Sequence, residues 1–230
     1  MKILSIRRGF LADHSSTSYE FMAVDKPLDA KARAAISRLS SRVRPTNHKA
    51  SFVYNGEWGD LPGGYDALMA KYYDVMYSES YDWWTLAFAF NTTSKELVDK
   101  LKKYAVRGVE DLGVDLSYRN KRVVITVYCR MDSNVLYHYT PDGDDMWFGE
   151  DYEDEENETY SVNDKLMDLL IKVRGRLKKG DCQPLYAVWE TYGYEYEDGE
   201  ETEEAPPKPR RIKAGADIAD EFASLLATME

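Results

Sequence analysis

Trp83-Trp84-Thr85-Leu86-Ala87-Phe88-Ala89-Phe90 is the stretch that decides the fold. At the two-residue period of a strand, Trp84, Leu86, Phe88 and Phe90 share one face, and Trp83, Thr85, Ala87 and Ala89 share the other. Both faces are apolar apart from one threonine, so the stretch predicts a strand inside a sheet, covered on both sides. On its C-terminal side, Thr93-Ser94-Lys95-Glu96 is a capping box opening a helix through Leu97, Val98, Leu101 and Tyr104. Val114–Tyr118 and Arg122–Cys129 then form a hairpin about Arg119-Asn120-Lys121, and a further strand is expected at Val135–Tyr139. On its N-terminal side a helix presents Leu68, Met69, Tyr72, Val75 and Met76, preceded by a glycine-rich turn over Gly56–Gly64 and a strand at Ser51–Tyr54. Further back, Leu28, Ala32, Ala35, Ile36, Leu39 and Val43 keep helical spacing until Pro45, with Asp25 or Asp29 as cap. Ile3–Arg7 and Tyr19–Val24 read as short strands around the polar loop Ala12–Ser18.

Towards the C-terminus, residues 142–158 hold ten acids and no base, which predicts a loop or a solvated edge. Ser161 with Asp164 caps a helix whose stripe is Val162, Leu166, Leu169, Leu170, Val173 and Leu177, closed by Gly180. Asp181 and Pro184 then open a second helix with Leu185, Val188, Trp189 and Tyr192 on one face. The alternation of Tyr192, Tyr194 and Tyr196 would also suit a strand, but helix is the preferred reading. From Glu195 to Lys213 the chain is acidic and then proline-rich, a composition that builds no core. The expected architecture is α+β: a mixed, mostly antiparallel sheet with packed helices over residues 1–193, a flexible linker over 194–213, and an amphipathic docking helix over 214–230.

Net charge is −11, unevenly spread. Residues 1–130 carry 20 Lys+Arg against 15 Asp+Glu, whereas residues 131–204 carry 6 against 22. An acidic total therefore conceals a mildly basic first half, which bears on partner steering rather than fold. No apolar run approaches the roughly 20 residues of a membrane span. Two cysteines, Cys129 and Cys182, are too few for a disulfide framework and are expected reduced. With no signal-peptide pattern in MKILSIRRGF, a cytoplasmic protein is expected.

Two stretches carry a resemblance. Phe52-Val53-Tyr54, Trp58-Gly59-Asp60, Leu68-Met69, Tyr72-Tyr73-Asp74 and Tyr77 resemble a motif of uncharacterised bacterial proteins. Leu169-Leu170 through Leu177, Gly180-Asp181, Leu185-Tyr186 and Trp189 are similar to that family's later helical pair. The family has no established activity, so the resemblance implies no functional residue.

Chemistry-bearing constellations are few. Asp13-His14-Ser15-Ser16 invites a hydrolase reading, yet Asp, Ser and Thr are ordinary turn formers and sequence neighbours rarely hold nucleophile–base geometry. No catalytic residue is assigned. His14, His48, His138 and the two cysteines show no metal-ligand spacing, and the Asp142–Glu153 stretch misplaces the glycine a calcium loop needs. No metal and no cofactor are expected. Lys31, Arg33, Arg38, Arg42, Arg44 and Lys49 follow one another without an intervening acid. Arg38, Arg42, Arg44 and Lys49 are candidate phosphate or nucleic-acid contacts, against the plainer reading of a solvated helix end.

The strongest signal is Ile218, Phe222, Leu225, Leu226 and Met229, spaced i, i+4, i+7, i+8 and i+11 as one apolar ridge. Such a ridge must be covered, either by its own domain or by another protein's groove. The expected function is a non-enzymatic accessory or adaptor subunit of a larger bacterial or phage assembly, with those five residues contacting the partner. The alternative is a small hydrolase or nucleic-acid-processing component using the Asp13–Ser18 loop or the basic segment 31–49. Another protein is the expected partner, nucleic acid is not favoured, and no membrane is involved.

Overall fold

A computed structural model describes residues 16–41, 43–55, 61–80, 83–131, 162–193, 205–210 and 216–226. The strands expected at Ile3–Arg7 and Val135–Tyr139 lie outside the described residues. So do Asp13–Ser15, residues 56–60, Arg42, the acidic stretch 142–158 and Met229.

Among the described residues, six strands form one antiparallel sheet in the order β2-β1-β3-β4-β6-β5: β1 Ser16–Met22, β2 Lys49–Asn55, β3 Val75–Ser80, β4 Trp83–Asn91, β5 Gly113–Arg119 and β6 Arg122–Arg130. The α+β reading holds. β4 lies between β3 and β6, as its two apolar faces require, with Leu86, Ala87, Phe88, Ala89 and Phe90 all buried. β5 and β6 are joined through Asn120 and Lys121, both left-handed at φ 52° and 65°, the geometry of a tight two-residue hairpin turn.

Among the described residues, six α-helices cover both faces: α1 Ala30–Ser37, α2 Gly64–Lys71, α3 Lys95–Lys102, α4 Val162–Lys178, α5 Gln183–Tyr192 and α6 Ala216–Leu225. α1 and α2 bury Ile36, Leu68 and Met69 with Phe21, Phe52, Ala87 and Ala89 on one face. The larger core lies on the other face, where α3, α4, α5 and α6 pack on Leu86, Phe88, Phe90, Ile125 and Val127. Each such side chain contributes roughly 1.5–3 kcal/mol by burial, so this face holds most of the stability.

Several elements differ from the sequence reading. α1 spans Ala30–Ser37, not Leu28 to Val43. Asp29 caps it by accepting from the Ala32 amide at 2.7 Å, and its last turn tightens into three-residue hydrogen bonds at Arg38 and Leu39. Leu28 and Val43 are buried outside the helix, so burial rather than helicity explains their spacing. α2 stops at Lys71, where the Tyr72 and Tyr73 amides both turn onto the Leu68 carbonyl. Val75 and Met76 therefore lie on β3, facing opposite cores, and the apolar run that suited a helix belongs to a doubly buried strand. Ser16, Thr17 and Ser18 belong to β1, pairing with Asn55, Tyr54 and Val53, so this part of the expected polar loop is strand. Residues 183–192 are helical, as preferred over the strand alternative.

Candidate functional site

The tail and its seat are built from the end of β6 outwards. Tyr192, at the last position of α5, donates its hydroxyl to the Arg130 carbonyl at 2.5 Å and accepts from the Arg130 amide at 3.0 Å. That pair of hydrogen bonds ties α5 to the final residue of β6. Gly108 permits the approach, since a Cβ there would collide with the Tyr192 carbonyl. The next residue, Met131, forms an antiparallel bridge with Leu226, so the end of β6 also grips the end of α6. At the other end of α5, Arg176 of α4 holds Asp181 and donates to Gln183 at 2.7 Å, fixing the α4–α5 turn.

Into this frame α6 sets its ridge. Phe222 is fully buried, Leu225 and Leu226 are nearly so, and Ile218 packs partly against the same core. The four described residues of the expected partner-binding ridge are thus covered by α4, α5 and Met131 of their own domain.

Before α6, residues 205–210 run along the surface without helix or strand. This stretch falls within the segment read as linker, yet Pro206 is buried and the Tyr104 hydroxyl donates to the Pro207 carbonyl at 2.6 Å. Burial, with the neighbouring Cys182, pushes the Tyr104 phenol up to about 12, which keeps it a neutral donor. The Lys208 ammonium stands 5.9 Å above the Tyr186 ring, which packs at 5.2 Å against Trp189. Tyr104, Tyr186 and the prolines carried no site signal in the sequence; the one available cue was Pro206-Pro207-Lys208-Pro209, which read as linker composition.

The remaining candidates do not converge. Arg38 and Lys49 are exposed, and Arg44 turns its guanidinium onto the carbonyls of Ser41 and Val43 at 2.9 and 3.0 Å, organising its own loop. Ser16–Ser18 of the hydrolase alternative lie on a paired strand. Among the described residues no group of three or more His, Cys, Asp or Glu side chains gathers around a common point. Burial pushes both thiols up, that of Cys182 to about 11 and that of Cys129 further. No described helix is long and apolar enough to cross a membrane.

Charged groups also converge where α4 crosses the strand ends, and there they pair with one another. Arg174 of α4, almost fully buried, donates to the Ala89 carbonyl at 2.7 Å and meets both Asp25 and Asp74. Asp74 also accepts from the Val24 and Asp25 amides at 2.8 and 2.9 Å and from Arg122 at 3.1 Å. Lys178 reaches Asp25 at 3.0 Å. The cluster pins α4 across the strand ends, and α4 is one wall of the tail's seat. No family model, curated protein or solved structure matches the chain.

Proposed function

We propose that this chain is a non-enzymatic protein-interaction subunit, an accessory or adaptor component of a larger bacterial or phage assembly in the cytoplasm, and that its docking element is the C-terminal helix. Ile218, Phe222, Leu225 and Leu226 are the residues offered to the partner, with Met229 extending the ridge in sequence.

The observation that carries this reading is the manner in which α6 is held. It is a ten-residue helix, a length that is marginal alone in water, so packing of its apolar face supports its helicity. Among the described residues its hold includes side-chain burial and the Met131–Leu226 backbone bridge. Its i, i+4, i+7, i+8 pattern is the ridge by which amphipathic helices enter apolar grooves, so a partner groove competes for the same face.

A locked tail tests this. Paired residues of an antiparallel bridge have Cα atoms about 4.5–5.5 Å apart, within disulfide reach. Met131→Cys with Leu226→Cys, oxidised, fixes α6 to β6, while the raised native thiols Cys129 and Cys182 stay out of the exchange. The reduced double variant copurifies its partner from native cells, less than wild type because the Leu226 side chain is lost, and the oxidised one does not. Equal recovery from both forms contradicts the reading.

A further inference from the structure

We infer that the Tyr104–Tyr186 surface is a recognition groove for proline-rich extended peptides, that residues 205–209 are its resident ligand, and that its occupant in trans is a proline-rich segment of a partner protein. This concerns a receptor on the body of the domain and does not rest on α6 leaving.

The resident segment is pre-shaped. Pro206, Pro207 and Pro209 have fixed φ, and Ala205, Pro206 and Lys208 each precede a proline and are held in the extended region. Ala205, Pro206 and Lys208 are therefore biased to extended, polyproline-II-like backbone and Pro207 and Pro209 have φ already set, so less conformational entropy is lost on docking. Such a segment has free carbonyls and no internal hydrogen bonds, so a reader must supply donors and aromatic faces. The body supplies both. The Tyr104 hydroxyl, from the turn after α3, donates to the Pro207 carbonyl at 2.6 Å, and the Tyr186 ring of α5 lies 5.9 Å beneath the Lys208 ammonium. Pro206, one residue before the hydrogen-bonded carbonyl, is buried.

Competition selects the occupant. A tethered segment acts at an effective concentration on the order of millimolar, so an identical segment from a second copy does not displace it at ordinary concentrations. A partner segment that fits better does. The resident cation leaves room for improvement, because 5.9 Å is near the outer limit of a cation–π contact and a planar guanidinium stacks more closely than an ammonium. The preferred ligand has arginine in the place of Lys208.

The test uses a labelled peptide with the sequence Ala205–Arg210, followed by fluorescence anisotropy on the full chain and on the full chain carrying Pro207→Ala and Pro209→Ala. Weakening the resident strap raises peptide affinity at least about tenfold. Replacing lysine by arginine in the peptide raises it again, and adding Tyr104→Phe to the strap variant lowers it about fivefold. Lys208→Glu in an otherwise unaltered chain gives a second weakened strap that keeps every proline. Equal peptide affinity for wild-type and weakened chains, equal binding of a proline-free peptide, or indifference to Tyr104→Phe overturns the inference. A concentration-dependent dimer abolished by the proline substitutions assigns the groove to a second copy and overturns the partner assignment.

Discussion

Arg174 and Asp25, 149 residues apart in sequence, meet through two parallel hydrogen bonds of 3.1 and 2.7 Å. The same guanidinium reaches buried Asp74 at 3.3 Å, so one side chain of α4 secures two carboxylates at the strand ends. Arg174→Met leaves Asp74 buried with less compensation and is expected to cost about 3–5 kcal/mol. Asp25→Asn removes a partner that is 40% exposed, and screening holds its cost to about 1 kcal/mol. Denaturant midpoints of the two variants check the ranking.

The same pair sets an acid limb. Arg174, Lys178 and their hydrogen bonds pull the Asp25 carboxyl from 3.8 to about 2. A depressed folded value means the stabilisation is complete above the unfolded value and is lost as pH falls from about 4 towards 2. Thermal scans across that window are expected to show wild type converging on Asp25→Asn. Asp66 has the opposite sign: burial, then Asp115, raises its carboxyl, so Asp66→Asn is expected to raise the Tm at pH 7 and to lose that advantage in acid.

Adjacent tryptophans separate the two faces of β4. Trp84 is 4% exposed within the larger core, whereas Trp83 is 40% exposed beneath the Arg130 guanidinium at 4.8 Å. Trp84→Ala is expected to cost about 3–5 kcal/mol and Trp83→Ala no more than about 1 kcal/mol. Near-equal losses would contradict the strand register.

Core substitutions tell the tail from the body. Leu170→Ala, at a fully buried position of α4, is expected to cost about 2–5 kcal/mol in global stability. Phe222→Ala is expected to cost less, because the chain can release α6 and unfold the remainder unchanged. Adding Leu225→Ala to Phe222→Ala then costs almost nothing further, and additive losses would show that α6 is integral to the core.

What was legible in the sequence was local or doubly buried. The β5–β6 hairpin follows from Asn120 and the flanking alternation, β4 from eight nearly continuous apolar residues, and the α3 start from Ser94, which accepts from the Leu97 amide at 3.1 Å. β3 was not legible: Val75 and Met76 continue the spacing of Leu68 and Met69, and pairing to β1 and β4 decides the matter from a distance. Ser16–Ser18 lean towards a turn by propensity, but ladders to β2 and, at Ser18, to β3 override it. The ridge of α6 was legible as apolar, while its seat depends on Tyr192 positioning Arg130 and Met131, a contact spanning 62 residues. The Tyr104–Pro207 bond spans 103 residues and leaves no periodic trace.

Exchangeability of α6 is the central claim, and native-state hydrogen exchange on the chain alone measures it most directly. Amides of residues 220–225 are expected to exchange through an opening that leaves α4 and β4 protected, and to become as protected as α4 once Met131→Cys and Leu226→Cys are oxidised. Protection of α6 equal to that of α4 in the unlocked chain would contradict it.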